Sequence, residues 1–222
     1  MVLSDENRRK VAEFLLRIKA IQLSPHEPFT WASGRKSPIY CDNRKVLSHA
    51  AVRTFVRQLT VEAIEKDYGK VDAIAGVATG GIALGALVAQ ELGLPFIYVR
   101  SKPKAHGLGN AIEGDLSVLS NAIVIEDLIS TGQSSLKAVN ALREEGVEVK
   151  GLIAIFTYGL PSAQSAFLES KCKWLTLTDY STMLDQALFE GYLNDEQRLL
   201  LDAWNNDPVA WSDAFESKER SQ

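Results

Sequence analysis

The chain has 222 residues, 46% of them hydrophobic and 23% charged, with a formal net charge of −4. That length suits one generous domain able to bury its own core, and the small negative charge gives no global footing for nucleic-acid or membrane binding. Cys41 and Cys172 are far apart without metal-ligand spacing, the start MVLSDENRRK is polar, and no apolar run approaches a membrane span; the expectation is a cytoplasmic globular protein with plain thiols and no signal peptide.

Residues 4–22 read as an amphipathic helix, with Ser4 as cap, Asp5 and Glu6 in the first turn, and an apolar stripe of Val11, Phe14, Leu15 and Ile18. Residues 24–46 carry three prolines and predict loops with brief strands. A helix follows from Ser48, closed by Gly69. Then strands and helices alternate: strand 71–77, a small-residue helix 82–92 stopped by Gly93, strand 95–100, a glycine-rich loop 101–118, strand 122–127, a helix ending at Gly146, strand 149–158, helix 161–171 and strand 173–180. Such alternation predicts an α/β fold: a central parallel sheet flanked by helices. Residues 182–217 look helical, with Asn194 as a cap, and either pad the core or cover a neighbouring subunit. The expected organisation is a single domain over 1–222: an N-terminal helix and hood (1–47), an α/β core (48–180) and a helical extension (181–222).

Two strings carry chemistry. In NAIVIEDLISTGQSSLKAV, residues 121–139, an apolar strand ends in Glu126 and Asp127 and a loop of small hydroxyl residues opens a helix. In open parallel sheets, ligands lie beyond the carboxyl ends of strands. Loop N–H groups, the helix start and the hydroxyls of Ser130, Thr131, Ser134 and Ser135 suit a phosphate. Gly132 lets the backbone approach it, and the acids suit ribose hydroxyls. Acids before a capped helix are common, so it is the whole string that is specific. Successive strand residues face opposite sides, so both acids reach one ligand only if the strand turns at Asp127. In the second string, VRSKPKAHGLGNAIEG, Arg100, Lys102, Lys104 and His106 recur every second residue with no acid before Glu113. A cationic loop flanked by glycines suits a departing polyanion.

The first string resembles the phosphoribosyl-pyrophosphate (PRPP) signature of type I phosphoribosyltransferases. The resemblance implies that family's fold, with a small N-terminal hood and here a helical C-terminal extension. It implies that Glu126 and Asp127 meet the ribose hydroxyls while Leu128, Ile129, Ser130, Thr131, Gly132, Gln133 and Ser134 wrap the 5-phosphate. The basic loop and the segment FTWASGRKSPIYCDNR, residues 29–44, resemble those of orotate phosphoribosyltransferases. That likeness implies transfer of phosphoribosyl from PRPP to orotate in pyrimidine synthesis, a homodimer in which loop 100–114 acts on the partner's site, and catalytic roles for Arg100, Lys104, His106 and Asp127.

By the same resemblance GVATGGIALG, residues 76–85, offers Thr79, Gly80 and Gly81 to pyrophosphate. Mg²⁺ is implied, held by substrate oxygens and water, with no dedicated protein ligands. Ser130 matches an orotate-contacting position, and Tyr40 could stack on the base. Ala32 and Gly80 stand where some members carry lysine, and Tyr158 where some carry arginine. The orotate carboxylate is thereby left to Arg44 or Lys36. His26 and His49 read as surface residues. Trp31, Trp174, Trp204 and Trp211 read as core or interface. Two other readings stay open: a phosphoribosyltransferase for another base, and a PRPP-sensing regulator that binds nucleic acid, which should show a basic face or an added winged-helix module.

Overall fold

The computed structural model describes residues 3–31, 33–101, 111–117 and 119–219. Helix α1 (Asp5–Arg17) is capped by Ser4, whose Oγ accepts from the Asn7 N–H at 3.1 Å, and buries Val11 and Leu15. It stops earlier than its apolar stripe predicts. Lys19 takes a left-handed backbone, φ 55°, and Ile21–Leu23 becomes strand β1, paired antiparallel with β4 (Ile39–Cys41). Burial of the β-branched Ile21 in that pairing outweighs one more helical turn. Between β1 and β4 the short strands β2 (Phe29–Thr30) and β3 (Lys36–Ser37) pair with each other. A 3₁₀ helix over Asn43–Ser48 leads into α2 (Ala50–Asp67), two residues after the expected start.

The core then follows as β5 (Ala73–Val77), α3 (Gly80–Leu92), β6 (Phe96–Val99), β7 (Ile112–Glu113), β8 (Asn121–Ile129), α4 (Gln133–Glu144), β9 (Glu148–Thr157), α5 (Pro161–Glu169) and β10 (Trp174–Asp179). The segment expected to be wholly loop thus holds the short strand β7. Among the described residues these six strands form one sheet in the order β10-β9-β8-β5-β6-β7, with β7 alone antiparallel to its neighbour. Side-chain alternation along β8 shows why both faces are covered. Ile123 and Ile125 join the core on the α3 side, while Ala122 and Val124 join the core on the α4 side. Each fully buried isoleucine contributes roughly 1.5–3 kcal/mol.

The chain runs outward from β5 to β6 on one side, and from β8 through β9 to β10 on the other. The carboxyl ends of β5 and β8 therefore flank the point where strand order reverses, the place where such sheets hold ligands. After the core come α6 (Tyr180–Phe189), α7 (Asp195–Asn206) and α8 (Pro208–Glu219). Asn194 caps α7 with a reciprocal capping box to Gln197. These helices pad the fold. Trp204 is buried against Trp31 and Tyr158, at ring-centroid distances of 5.8 and 5.6 Å, and Ser212 Oγ accepts from the Lys36 N–H at 3.0 Å. Cys41 and Cys172 are free thiols, His26 and His49 are exposed, and no described helix is long and apolar enough to cross a membrane.

Candidate active site

The two acids lie on β8, which does not end at Asp127. It continues to Ile129 and stays paired with β9, Glu126 opposite Ala154 and Leu128 opposite Phe156. A regular pleat would send the two carboxylates to opposite faces, yet the two side chains lie within hydrogen-bond reach of each other, and past Asp127 the alternation is broken, with Leu128 on the Ile125 side and Ile129 on the Val124 side. Glu126 faces α4: its Oε2 accepts from Ser135 Oγ at 3.2 Å and its Oε1 from the Asp127 N–H at 3.0 Å. Asp127 faces α3, with its carboxylate against the backbone of Gly80 at the helix start, where any Cβ would overlap it. Both border one cleft of about 320 Å³, just beyond the end of β5 at Val77. Thr79, Gly80, Ser130, Thr131, Gly132 and Ser134 line the same cleft.

The electrostatics of the two acids differ. Glu126 is buried, and burial first, then the hydrogen bond and negative charge of Asp127, push its pKa up from 4.5 to about 9, against the opposing bonds from the Asp127 N–H and Ser135. In the free protein near neutral pH it therefore holds a proton, and Asp127, half-exposed, is the reachable carboxylate. Neighbouring residues carry no sign of the shift on Glu126, which follows from the depth of β8 in the sheet, and Ser135, whose hydroxyl was expected to suit a phosphate, is buried and donates to Glu126 instead.

The loop after β8 turns at Gly132. Gly132 has φ +78°, a conformation side chains resist, and α4 begins at the next residue, so its free N–H groups point into the cleft end of the loop. Leu128 borders the cleft; Ile129 is buried and faces the core below it, and Gln133 lines a neighbouring cavity instead. That cavity, about 530 Å³, is also walled by Thr131, Ser134, Arg100 and Lys137. Lys137, one turn into α4, went unremarked in the sequence. Arg100 Nη1 donates to Glu113 Oε1 at 3.1 Å across the β6–β7 pair. Lys102, Lys104 and His106 lie outside the described residues, as does Ala32.

A third cavity, about 590 Å³, adjoins the cleft through the shared residues Leu128 and Ser130. Its walls are Trp31, Tyr40, Tyr158 and Cys41, with Thr30 and Ser33 at its rim. Tyr40 is partly exposed, 5.7 Å from the Phe29 ring, and Trp31 lies 5.7 Å from Tyr158. Burial holds the Tyr158 phenol well above its ordinary pKa, so this wall is neutral. Trp31 thus does more than fill the core. Arg44 pairs with Asp42 at 2.6 Å, and Lys36 lies on β3 beside α8; neither is among the residues lining the aromatic cavity. Trp174 stacks on Phe167 and Trp211 on Phe215, both in packing roles.

A reversal-point crevice with a helix-start anion cradle, paired acids and an adjoining flat aromatic pocket defines a binder of a sugar phosphate and a planar ring. The phosphoribosyl transferase domain model matches residues 43–174. An orotate phosphoribosyltransferase of Phocaeicola vulgatus is 58% identical over 200 residues, covering 90% of this chain and 94% of that one. One from Bacteroides fragilis is 55% identical over 203 residues, covering 91% and 96%. Among solved structures, orotate phosphoribosyltransferase from Aeropyrum pernix superposes with a TM-score of 0.70 at 25% identity, covering 83% of this chain and 99% of that one. The chain belongs to the orotate phosphoribosyltransferase family of phosphoribosyl transferases.

Proposed function

We infer that this protein transfers the phosphoribosyl group of PRPP to N1 of orotate, giving orotidine 5′-phosphate and pyrophosphate in pyrimidine biosynthesis. The observation that carries the reading is the adjacency of two pockets of different chemistry, one acidic and lined by a phosphate cradle, the other aromatic, joined through Leu128 and Ser130. That juxtaposition puts a flat base beside the anomeric carbon of a bound ribose, which supplies the proximity a bimolecular displacement needs.

In this reading Ser130, Thr131, Gly132 and Ser134 hold the 5-phosphate, with Leu128, Ile129 and Gln133 completing the loop. Asp127 and Glu126 accept the ribose hydroxyls and favour positive charge on the ring as the bond to pyrophosphate stretches. Thr79 and Gly80, at the start of α3, offer backbone N–H groups to pyrophosphate. Arg100 with Lys104 and His106 neutralises the leaving group. Tyr40 and Trp31 sandwich the base, and Ser130 contacts it. The neutral walls leave the orotate carboxylate to the pocket mouth, where Arg44 or Lys36 would have to swing in on binding. Among the described residues no group of three or more His, Cys, Asp or Glu is placed to hold a metal ion. Asp127 beside an oligophosphate site fits an ion that arrives with most of its oxygen ligands already on the substrate. Mg²⁺ held in this way would neutralise charge on the diphosphate. Cytoplasmic location and a homodimer with shared loops belong to the same reading.

The test is to mix the protein with PRPP, Mg²⁺ and one base at a time, and follow pyrophosphate. Orotate should turn over, while adenine and uracil should not. Turnover with adenine alone would overturn the substrate assignment.

A further inference from the structure

Asn43 stands outside every role assigned so far, yet it touches one residue lining each pocket, Cys41 and Asp127. It is 2% exposed, in the first turn of the 3₁₀ helix that leaves the hood. Its Nδ2 donates to the backbone carbonyl of Asp127 at 2.7 Å, and its Oδ1 lies 3.3 Å from Cys41 Sγ, the donor on that side. Cys41 lines the aromatic pocket and Asp127 the acidic cleft.

The contact fills a gap in the sheet. β5 pairs with β8 only as far as Gly76 opposite Ile125, so two residues on, the β5 side of β8 has lost its strand neighbour. A strand carbonyl without a ladder partner needs a donor, and the Asn43 side chain supplies it. The Asn43 segment is itself fixed: the Asp42 N–H donates to the Ala20 carbonyl at 2.7 Å and Lys45 Nζ to the Lys19 carbonyl at 3.0 Å. Movement of the hood around a base is therefore transmitted to Asp127 through one amide. A surface residue could not do this, because a solvated amide would exchange partners with water.

We propose that Asn43 is a positioning residue that couples the two substrate sites, with occupancy of the aromatic pocket fixing Asp127 for the ribose through the Cys41–Asn43–Asp127 chain. The proposal rests on the reading of those pockets as orotate and PRPP sites. Coupling is reciprocal, so a ligand in either pocket tightens the other.

Orotate binding is measured by calorimetry with and without saturating ribose 5-phosphate, a pair that cannot react. The wild type should bind orotate about fivefold or more tightly in the presence of ribose 5-phosphate. Asn43→Asp keeps the shape but sets an oxygen against the Asp127 carbonyl. It should bring that factor close to one and raise KM for both substrates more than it lowers kcat. Cys41→Ser, which keeps a donor, should hold the coupling, and Cys41→Ala should weaken it. A wild type without coupling overturns the proposal, as does an Asn43→Asp protein that melts earlier but couples normally; that result would mark a purely structural amide. If Asn43→Asp does not fold, the Cys41 pair decides: serine and alanine behaving alike is a refutation, and serine coupling where alanine does not is support. Wild-type protein that binds ribose 5-phosphate but never orotate would sink the substrate reading, and the base half of this proposal with it.

Discussion

Replacing Glu126 with glutamine should make the free protein more stable, by an amount that grows with pH. The unfolded side chain ionises near 4.5, whereas the folded one keeps its proton until about 9 because it is buried beside Asp127. A group whose folded pKa is raised contributes most below the unfolded value, and that contribution is lost as pH rises from 4.5 towards 9. At pH 7.5 the separation is about three pH units, or about 4 kcal/mol at 1.36 kcal/mol per unit. At pH 5 the same arithmetic gives about 1 kcal/mol. The amide keeps the shape, and its oxygen can still accept from the Asp127 N–H; its NH₂ has to donate to Ser135 Oγ, reversing the present bond, so the hydroxyl must find a new acceptor and part of the gain is offset. In a chain of this size, 4 kcal/mol corresponds to a rise in Tm on the order of 10 °C. Urea unfolding of both proteins at pH 5 and pH 7.5, without ligand, gives the two differences directly. The reasoning fails if glutamine is the less stable residue at pH 7.5, or if the gap is the same at both pH values. The gain comes at the expense of function: glutamine, unlike Glu126, cannot give up a proton and become negative as positive charge develops on a bound ribose, and turnover should fall by at least about tenfold.

Gly80→Ala should leave the fold nearly intact, because the group its Cβ would strike is the movable end of Asp127. PRPP KM should nonetheless rise about tenfold or more as that carboxylate is displaced; an unchanged KM would mean Asp127 does not need its place over α3. Lys104→Ala should lower kcat far more than it weakens PRPP binding, since its charge matters most as pyrophosphate leaves, and rapid-quench and binding data separate the two. If the loop works across a dimer, mixed chains of Lys104→Ala and Asp127→Ala should recover some activity; proven heterodimers without recovery would count against it.

The sequence by itself determined whatever is local. Ser4 and Asn194 cap their helices, Gly93 ends α3, and the run from Asn121 to Ser134 encodes strand, cradle and helix start within one stretch of chain. Backbone preference and short-range hydrogen bonds decide such features, and they are written in neighbouring residues. Only the tertiary structure decided what depends on residues distant along the chain. Strand pairing of Ile21 with Cys41 ended α1 before its apolar stripe did. Depth in the sheet, beside Asp127, raised the pKa of Glu126 far above the usual carboxylate range. Packing of Trp31 against Tyr158 and Trp204 built an aromatic pocket that leaves Arg44 and Lys36 outside its walls, and the early end of β5 gave Asn43 a carbonyl to hold. Burial and desolvation belong to the assembled molecule, because they depend on what the folded chain brings against each group.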